Sequence, residues 1–157
     1  MVSAFPKYHF SWTVPNKFLF HNKIEEIHFK NIHRYYPCNK YLSKFYSNIS
    51  PLCSFCQEEE ESILHLFYLC SYTKQFWLQI SASIFLAFHQ LCNISVSKVI
   101  FHSDVSENKK LDDILNFFCM MGKYHIQKAR YLKFKPSCKI FAYDLVIIVF
   151  TSKNPLQ

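Results

Sequence analysis

Glycine is almost missing from this sequence. Its 157 residues include one, Gly122, where average usage gives roughly 11. Glycine supplies the positive-φ positions of tight hairpins and of loops that wrap phosphates. Its scarcity argues against a hairpin-rich sheet protein. It also excludes phosphate-cradling loops and dinucleotide fingerprints, which need several glycines at fixed spacing. Long apolar runs are lacking too. The longest, Ile84 to Phe88 and Leu145 to Phe150, fall far short of the roughly 20 residues that span a bilayer. Met1 to Phe10 has no apolar core of the kind a secretory signal carries. Carboxylates are sparse, 11 against 18 Lys and Arg, so the chain carries a net charge of +7. That balance suits an anionic partner, and charge alone does not choose between nucleic acid and an acidic membrane surface.

Apolar and aromatic residues are plentiful. Half the chain is hydrophobic, with 17 Phe and 10 Tyr. A chain this short has apolar surface to spare, which fits either a Phe-rich core or a face that a partner covers. Seven cysteines is an odd number, and no export signal accompanies them, so a disulfide framework is not expected. Reduced thiols point to the inside of the cell and to buried or metal-bound roles.

Periodicity divides the chain into four parts. Residues 1–20, aromatic and broken by Pro6 and Pro15, read as an extended lead-in. Residues 21–92 form a helical region: a helix from Ile24 to Tyr36 stopped by Pro37, a short helix from Asn39 to Tyr46 with Asn39 as its cap, and a strong helix from Tyr72 to Leu91. The apolar stripe of that last helix is Phe76, Trp77, Ile80, Ile84, Phe88 and Leu91. Residues 93–109 read as a polar connection around the apolar Val99 to Phe101. Residues 110–153 hold a long helix, Lys110 to Lys135, stopped by Pro136, and a final element from Ser137 to Thr151. Its Ile and Val content leaves helix and strand open. The fold class expected is mainly α.

Between these helices lies Cys53-x2-Cys56-x8-His65-x4-Cys70, within residues 51–72. Zinc takes four tetrahedral ligands from thiolate and imidazole. Two cysteines two residues apart bind one ion from a tight turn. His65 and Cys70 lie about one helical turn apart, and Ser62 can cap that segment. Three cysteines and a histidine leave no position for water, so the site is structural and not catalytic. A redox dithiol would need a strand–helix setting that Pro51 and the acidic loop do not provide. Glu58 to Glu61 read as a solvated loop and the first turn of a helix. Cys38, Cys92, Cys119 and Cys138 have no ligand spacing, and packing is their expected role.

Pro51-Leu-Cys-Ser-Phe-Cys56, His65-Leu-Phe-Tyr-Leu-Cys70 and Phe76-Trp77 together resemble the zinc-binding segment that follows the polymerase domain in non-LTR, LINE-type retrotransposon reverse transcriptases. Upstream, Phe29-Lys30-Asn31-Ile32-His33-Arg34 with Tyr36-Pro37-Cys38-Asn39 is similar to that family's helix and following turn, with Cys38 where threonine is usual. Downstream, Gly122-Lys-Tyr-His-Ile-Gln-Lys128 and Lys133-Phe-Lys-Pro136 are similar to the C-terminal end of such proteins. The resemblance spans about residues 10–153. It implies the C-terminal part of a reverse transcriptase, with one structural Zn2+, and not the polymerase itself. Polymerase chemistry needs carboxylates that hold two metal ions. The only paired aspartates, Asp112 and Asp113, read as first-turn acids of a helix.

The segment from Lys123 to Lys139 contains no acid. Lys123, Lys128, Arg130, Tyr131, Lys133 and Lys135 within it mix phosphate-neutralising cations with a ring that can stack on a base. The bland alternative is a solvated helix face over core aromatics. The expectation is therefore a zinc-binding, non-enzymatic fragment whose partner is RNA or DNA and not a membrane. The alternatives are a module that docks on an upstream polymerase domain, and a decayed retroelement remnant without activity.

Overall fold

The computed structural model describes residues 22–102 and 108–153, with side chains as far as Ile147. The lead-in expected over residues 1–20 lies outside the described residues. The order is α1 (Asn22–Ile32), α2 (Asn39–Leu42), a π turn (His65–Leu69), α3 (Ser71–Phe88), α4 (Val96–Phe101), α5 (Lys109–Tyr131) and α6 (Cys138–Lys153). Among the described residues there is no strand, only an isolated antiparallel bridge between Leu52 and Glu60. The mainly α expectation holds, and the final element is a helix.

The helices end earlier than the hydrophobic pattern suggests, for one recurring reason. Arg34 (φ 59°), His89 (φ 53°), His102 (φ 54°) and Lys133 (φ 60°) adopt the left-handed conformation just past α1, α3, α4 and α5. After α1, Tyr35 N–H donates to Lys30 O at 2.8 Å and Arg34 N–H to Asn31 O at 3.2 Å. After α5, Phe134 N–H donates to Ala129 O at 3.0 Å and Lys133 N–H to Arg130 O at 3.3 Å. Both are Schellman closures, a motif that usually carries glycine. Here all four stop positions are Arg, Lys or His, and the Arg34 and Lys133 cations complement the negative end of a helix dipole. Because α3 stops at Phe88, Phe88 and Leu91 leave the expected buried stripe and lie exposed, whereas Phe76, Trp77, Ile80 and Ile84 are buried.

The stretch read as a polar connection contains α4. Ser95 Oγ caps it by accepting from Lys98 N–H at 3.0 Å, and Val99 and Ile100 are buried. Asn39 is not a cap either. It is the first residue of α2, and its amide Nδ2 donates to Leu52 O at 2.9 Å.

Helix α5 is the axis of the core. It packs against α1, α4, α6 and the π turn. The single glycine sits on it where the Trp77 side chain of α3 reaches its backbone. A Cβ on Gly122 would lie 2.3 Å from Trp77 Cη2 and 2.6 Å from Cζ3. Trp77 cannot retreat easily, because its ring is buried and its Nε1–H donates to Phe67 O at 2.7 Å. The glycine thus makes room for the Trp77 ring against the α5 backbone and does not serve a turn.

Polar residues cross this core in two places. Lys123, 1% exposed, donates from Nζ to His28 Nδ1 at 2.8 Å and to His102 Nε2 at 3.0 Å. His102 Nδ1–H donates to Asn116 Oδ1 at 3.1 Å, so both imidazoles serve the lysine as neutral acceptors. Burial pulls Lys123 down to about 7 and His28 to about 2. Between α5 and α6, His125 Nδ1–H donates to Asp144 at 2.7 Å while its Nε2 accepts from Ser137 N–H at 3.2 Å. Lys128 Nζ pairs with the other oxygen of Asp144 at 2.5 Å.

Candidate metal centre and basic groove

The two halves of the ligand set come from different local structures. Cys53 and Cys56 flank a knuckle closed by Gln57 N–H to Cys53 O at 3.0 Å and Cys53 N–H to Glu59 O at 2.8 Å. Gln57 takes the left-handed turn position that follows (φ 60°). His65 opens the π turn, and Ser62 Oγ accepts its N–H at 3.0 Å, the capping role expected of that serine. Cys70 closes the π turn and stands at the N-terminus of α3.

All four donor atoms lie within 4.8 Å of one another. Cys53 Sγ is 3.9 Å from Cys70 Sγ, and Cys56 Sγ is 3.4 Å from His65 Nε2. A tetrahedral ion with sulfur at about 2.3 Å and nitrogen at about 2.0 Å has edges of roughly 3.5–3.8 Å. The residues therefore fit zinc in size as well as in chemistry. Cys70 is the thiol readiest to ionise. The hydrogen bond from Cys53 lowers its pKa, and backbone N–H groups of Tyr72 and Thr73 at the start of α3 lower it further. That same bond pushes the Cys53 thiol up, and burial adds to the rise. His65 is buried, and Glu59 Oε2 comes within 3.2 Å of its Nδ1 from the solvent side. The contact lacks hydrogen-bond geometry, and Nδ1 makes no hydrogen bond. No other group of metal-ligating side chains occurs among the described residues.

The acidic loop is only partly solvated, which corrects the sequence reading. Glu59 and Glu60 face solvent, but Glu61 is fully buried. Its carboxylate accepts Asn39 N–H at 2.9 Å, so it caps α2 from a distance. It also accepts Ser54 N–H at 2.7 Å and pairs with Arg130 at 2.7 Å. Arg130 further donates to Pro37 O at 3.1 Å and Asn39 Oδ1 at 2.9 Å, with its guanidinium 5.7 Å from the Tyr36 ring centre. Glu61 and Arg130 thus clamp α1's exit, α2, the zinc knuckle and α5 together. Sequence alone marks neither residue for this role. Glu61 is the last of four successive acids, and nothing in the spacing separates it from its solvated neighbours.

The six basic-stretch residues divide by environment. Lys123 is buried on the histidines, and Arg130 points into the clamp with its side chain 18% exposed. Both charges are engaged internally. Lys128 pairs with Asp144 and is partly exposed. Tyr131, Lys133 and Lys135 lie at the surface, with Lys135 Nζ over the Tyr72 ring at 4.2 Å and bonded to Phe55 O. Lys133, Lys135 and the edge of Arg130 line a groove of about 450 Å³ whose opposite side includes Ser54 and Gln57 of the zinc knuckle. Asp112 lies in the first turn of α5, as expected, and pairs with Lys98.

Comparison with known proteins adds one finding. Residues 4–77, just under half of the chain, match the family described as zinc-binding in reverse transcriptase. No curated protein and no solved structure matches the chain. The matched span contains all four donors. No helix among the described residues is long and apolar enough to cross a membrane.

Proposed function

With a reverse transcriptase zinc-binding domain over residues 4–77 as the premise, we propose that this chain is the zinc-binding, nucleic-acid-contacting C-terminal part of a retrotransposon reverse transcriptase, without polymerase activity of its own. The zinc joins the knuckle to α3 and holds a rigid edge. One observation supports nucleic-acid contact above the rest: Lys133 and Lys135 share a groove with that edge. A cationic groove against a fixed loop suits a phosphate backbone, where affinity comes mainly from neutralised phosphates. Asp112, held by Lys98 and by Asn116 Nδ2 at 3.2 Å, is engaged as a structural acid, which supports the non-enzymatic reading. An intracellular location accords with seven free cysteines.

The test is binding of single-stranded RNA and DNA to the zinc-loaded chain across a salt series. Binding should weaken steeply with salt. Lys133→Glu with Lys135→Glu should weaken it further and lower the salt slope by about one for each phosphate that is no longer neutralised. No binding at low salt would overturn the proposal.

A second reading is favoured by a separate observation. Leu78 (70% exposed) and Leu86 (74%) on α3, and Tyr143 (73%) on α6, leave apolar surface in solvent. Surface of that kind fits docking on an upstream polymerase domain. Co-expression with that domain should then raise solubility, and a monomer that stays soluble alone at high concentration argues against it.

A further inference from the structure

A second cleft, of about 590 Å³, opens between the end of α1, α2 and α4. Its volume lies in the range of small-ligand sites, roughly 300–1,000 Å³. Apolar walls come from Leu64 and Ile100. Asn31 lines it, 1% exposed, and neither its Nδ2 nor its Oδ1 has a hydrogen-bond partner. Both atoms are also closed off from solvent, so the amide lies behind the cleft wall and is not presented to its open space. At the mouth stand Tyr35 and Tyr41, 72% and 54% exposed, and two lysines one helical turn apart, Lys40 and Lys44. Tyr35 is stacked on His33 with ring centres 6.2 Å apart and 16° between planes. Tyr41 packs on Phe45 with centres 5.2 Å apart, so both platforms are braced from behind.

From this arrangement we infer that the cleft receives one unstacked base of a single-stranded nucleic acid. The inference rests on the nucleic-acid reading above and assigns it a second contact, on α1 and α2. Two requirements of a splayed nucleotide are met together. A flat base stacks on exposed tyrosines. Lysines at the rim neutralise the flanking phosphates. An apolar protein segment fits worse, because it would cover two lysines. Lys40 is held by Glu60 at 2.5 Å, but that pair is half exposed, and an exposed pair is worth little. A phosphate can replace the carboxylate.

The test uses the full zinc-loaded chain, a labelled 12-nucleotide single strand in RNA and DNA forms, and the matching RNA duplex. Tyr41→Ala and Lys44→Glu change exposed side chains. Each should weaken single-strand binding about fivefold or more, and Lys44→Glu should also lower the salt slope by about one. Photocrosslinks from 4-thiouridine should fall on Tyr35 or Tyr41. The duplex, whose bases stay stacked, should bind more weakly than the single strand, and Tyr41→Ala should leave its affinity unchanged. Equal affinity for RNA and DNA, or a preference for RNA, both uphold the inference, since both strands carry base and phosphate. Affinity unchanged in Tyr41→Ala and Lys44→Glu, with binding abolished in Lys133→Glu/Lys135→Glu, overturns the cleft and leaves the groove standing. If the unmodified chain binds neither strand, both readings fail. If Tyr35→Ser/Tyr41→Ser raises solubility and leaves RNA affinity unchanged, the cleft belongs to a protein partner and the inference is wrong.

Discussion

Replacing Arg130 by methionine separates two roles that its position in the basic stretch confuses. In the fold its guanidinium neutralises Glu61, which is fully buried, and ties Pro37 and Asn39 to α5. Methionine keeps most of the volume but removes the charge. Breaking a buried pair from one side costs about 3–5 kcal/mol, because the remaining charge stays out of water. Glu61 would keep three donors, the N–H groups of Asn39 and Ser54 and the Ser54 hydroxyl. The lower end, about 3 kcal/mol, is therefore expected. Against a total of roughly 5–15 kcal/mol, that is a severe loss. Urea unfolding of the zinc-loaded protein, followed by circular dichroism, should show the midpoint falling by about 1–2 M. Glu61→Gln should cost a comparable amount. The double variant should lose less than the two single losses combined, with a coupling of about 2 kcal/mol or more. A stability change under about 0.5 kcal/mol together with collapse of RNA binding would refute the clamp and restore Arg130 as a phosphate ligand.

Purified protein should contain about one zinc per chain, lost with local structure in Cys56→Ser or His65→Ala but kept in Cys92→Ser, as metal analysis would show. Gly122→Ala should destabilise by about 1–3 kcal/mol in thermal unfolding, since the added methyl meets a buried Trp77 ring anchored through Nε1 to Phe67 O. His89→Gly should stabilise by about 1 kcal/mol, because His89 is exposed and holds a left-handed conformation that glycine adopts freely. Lys123 binds its proton less tightly folded (about 7) than unfolded (10.5), so the unfolded chain holds more protons between those values and stability should rise with pH there. Between pH 7 and 8.5 the gain should be about 1–2 kcal/mol, and Lys123→Met should flatten it.

The zinc ligands were legible in the sequence because metal coordination imposes short, local spacings. A knuckle needs two intervening residues, and a helical turn needs four, whatever the rest of the chain does. The π turn of His65–Leu69 keeps that spacing, and the capping role of Ser62 followed from its place before the segment. The helical class was legible too, from the near absence of glycine and from the 3.6-residue pattern of Phe76, Trp77, Ile80 and Ile84. Helix ends were not. Their usual signal is glycine, and this chain stops its helices on Arg34, His89, His102 and Lys133 instead.

What only the tertiary structure decided is which charges face water. A run such as Lys123 to Lys135 reads as one basic surface, yet a helix turns its residues about 100° apart. Lys123 therefore meets His28 and His102 inside, Arg130 meets Glu61, and Lys133 and Lys135 are left outside. Partners for the first two come from 95 and 69 residues away along the chain, as His28 and Glu61. No local pattern encodes such distances. Composition set the sign of the charge, and packing decided where it is available.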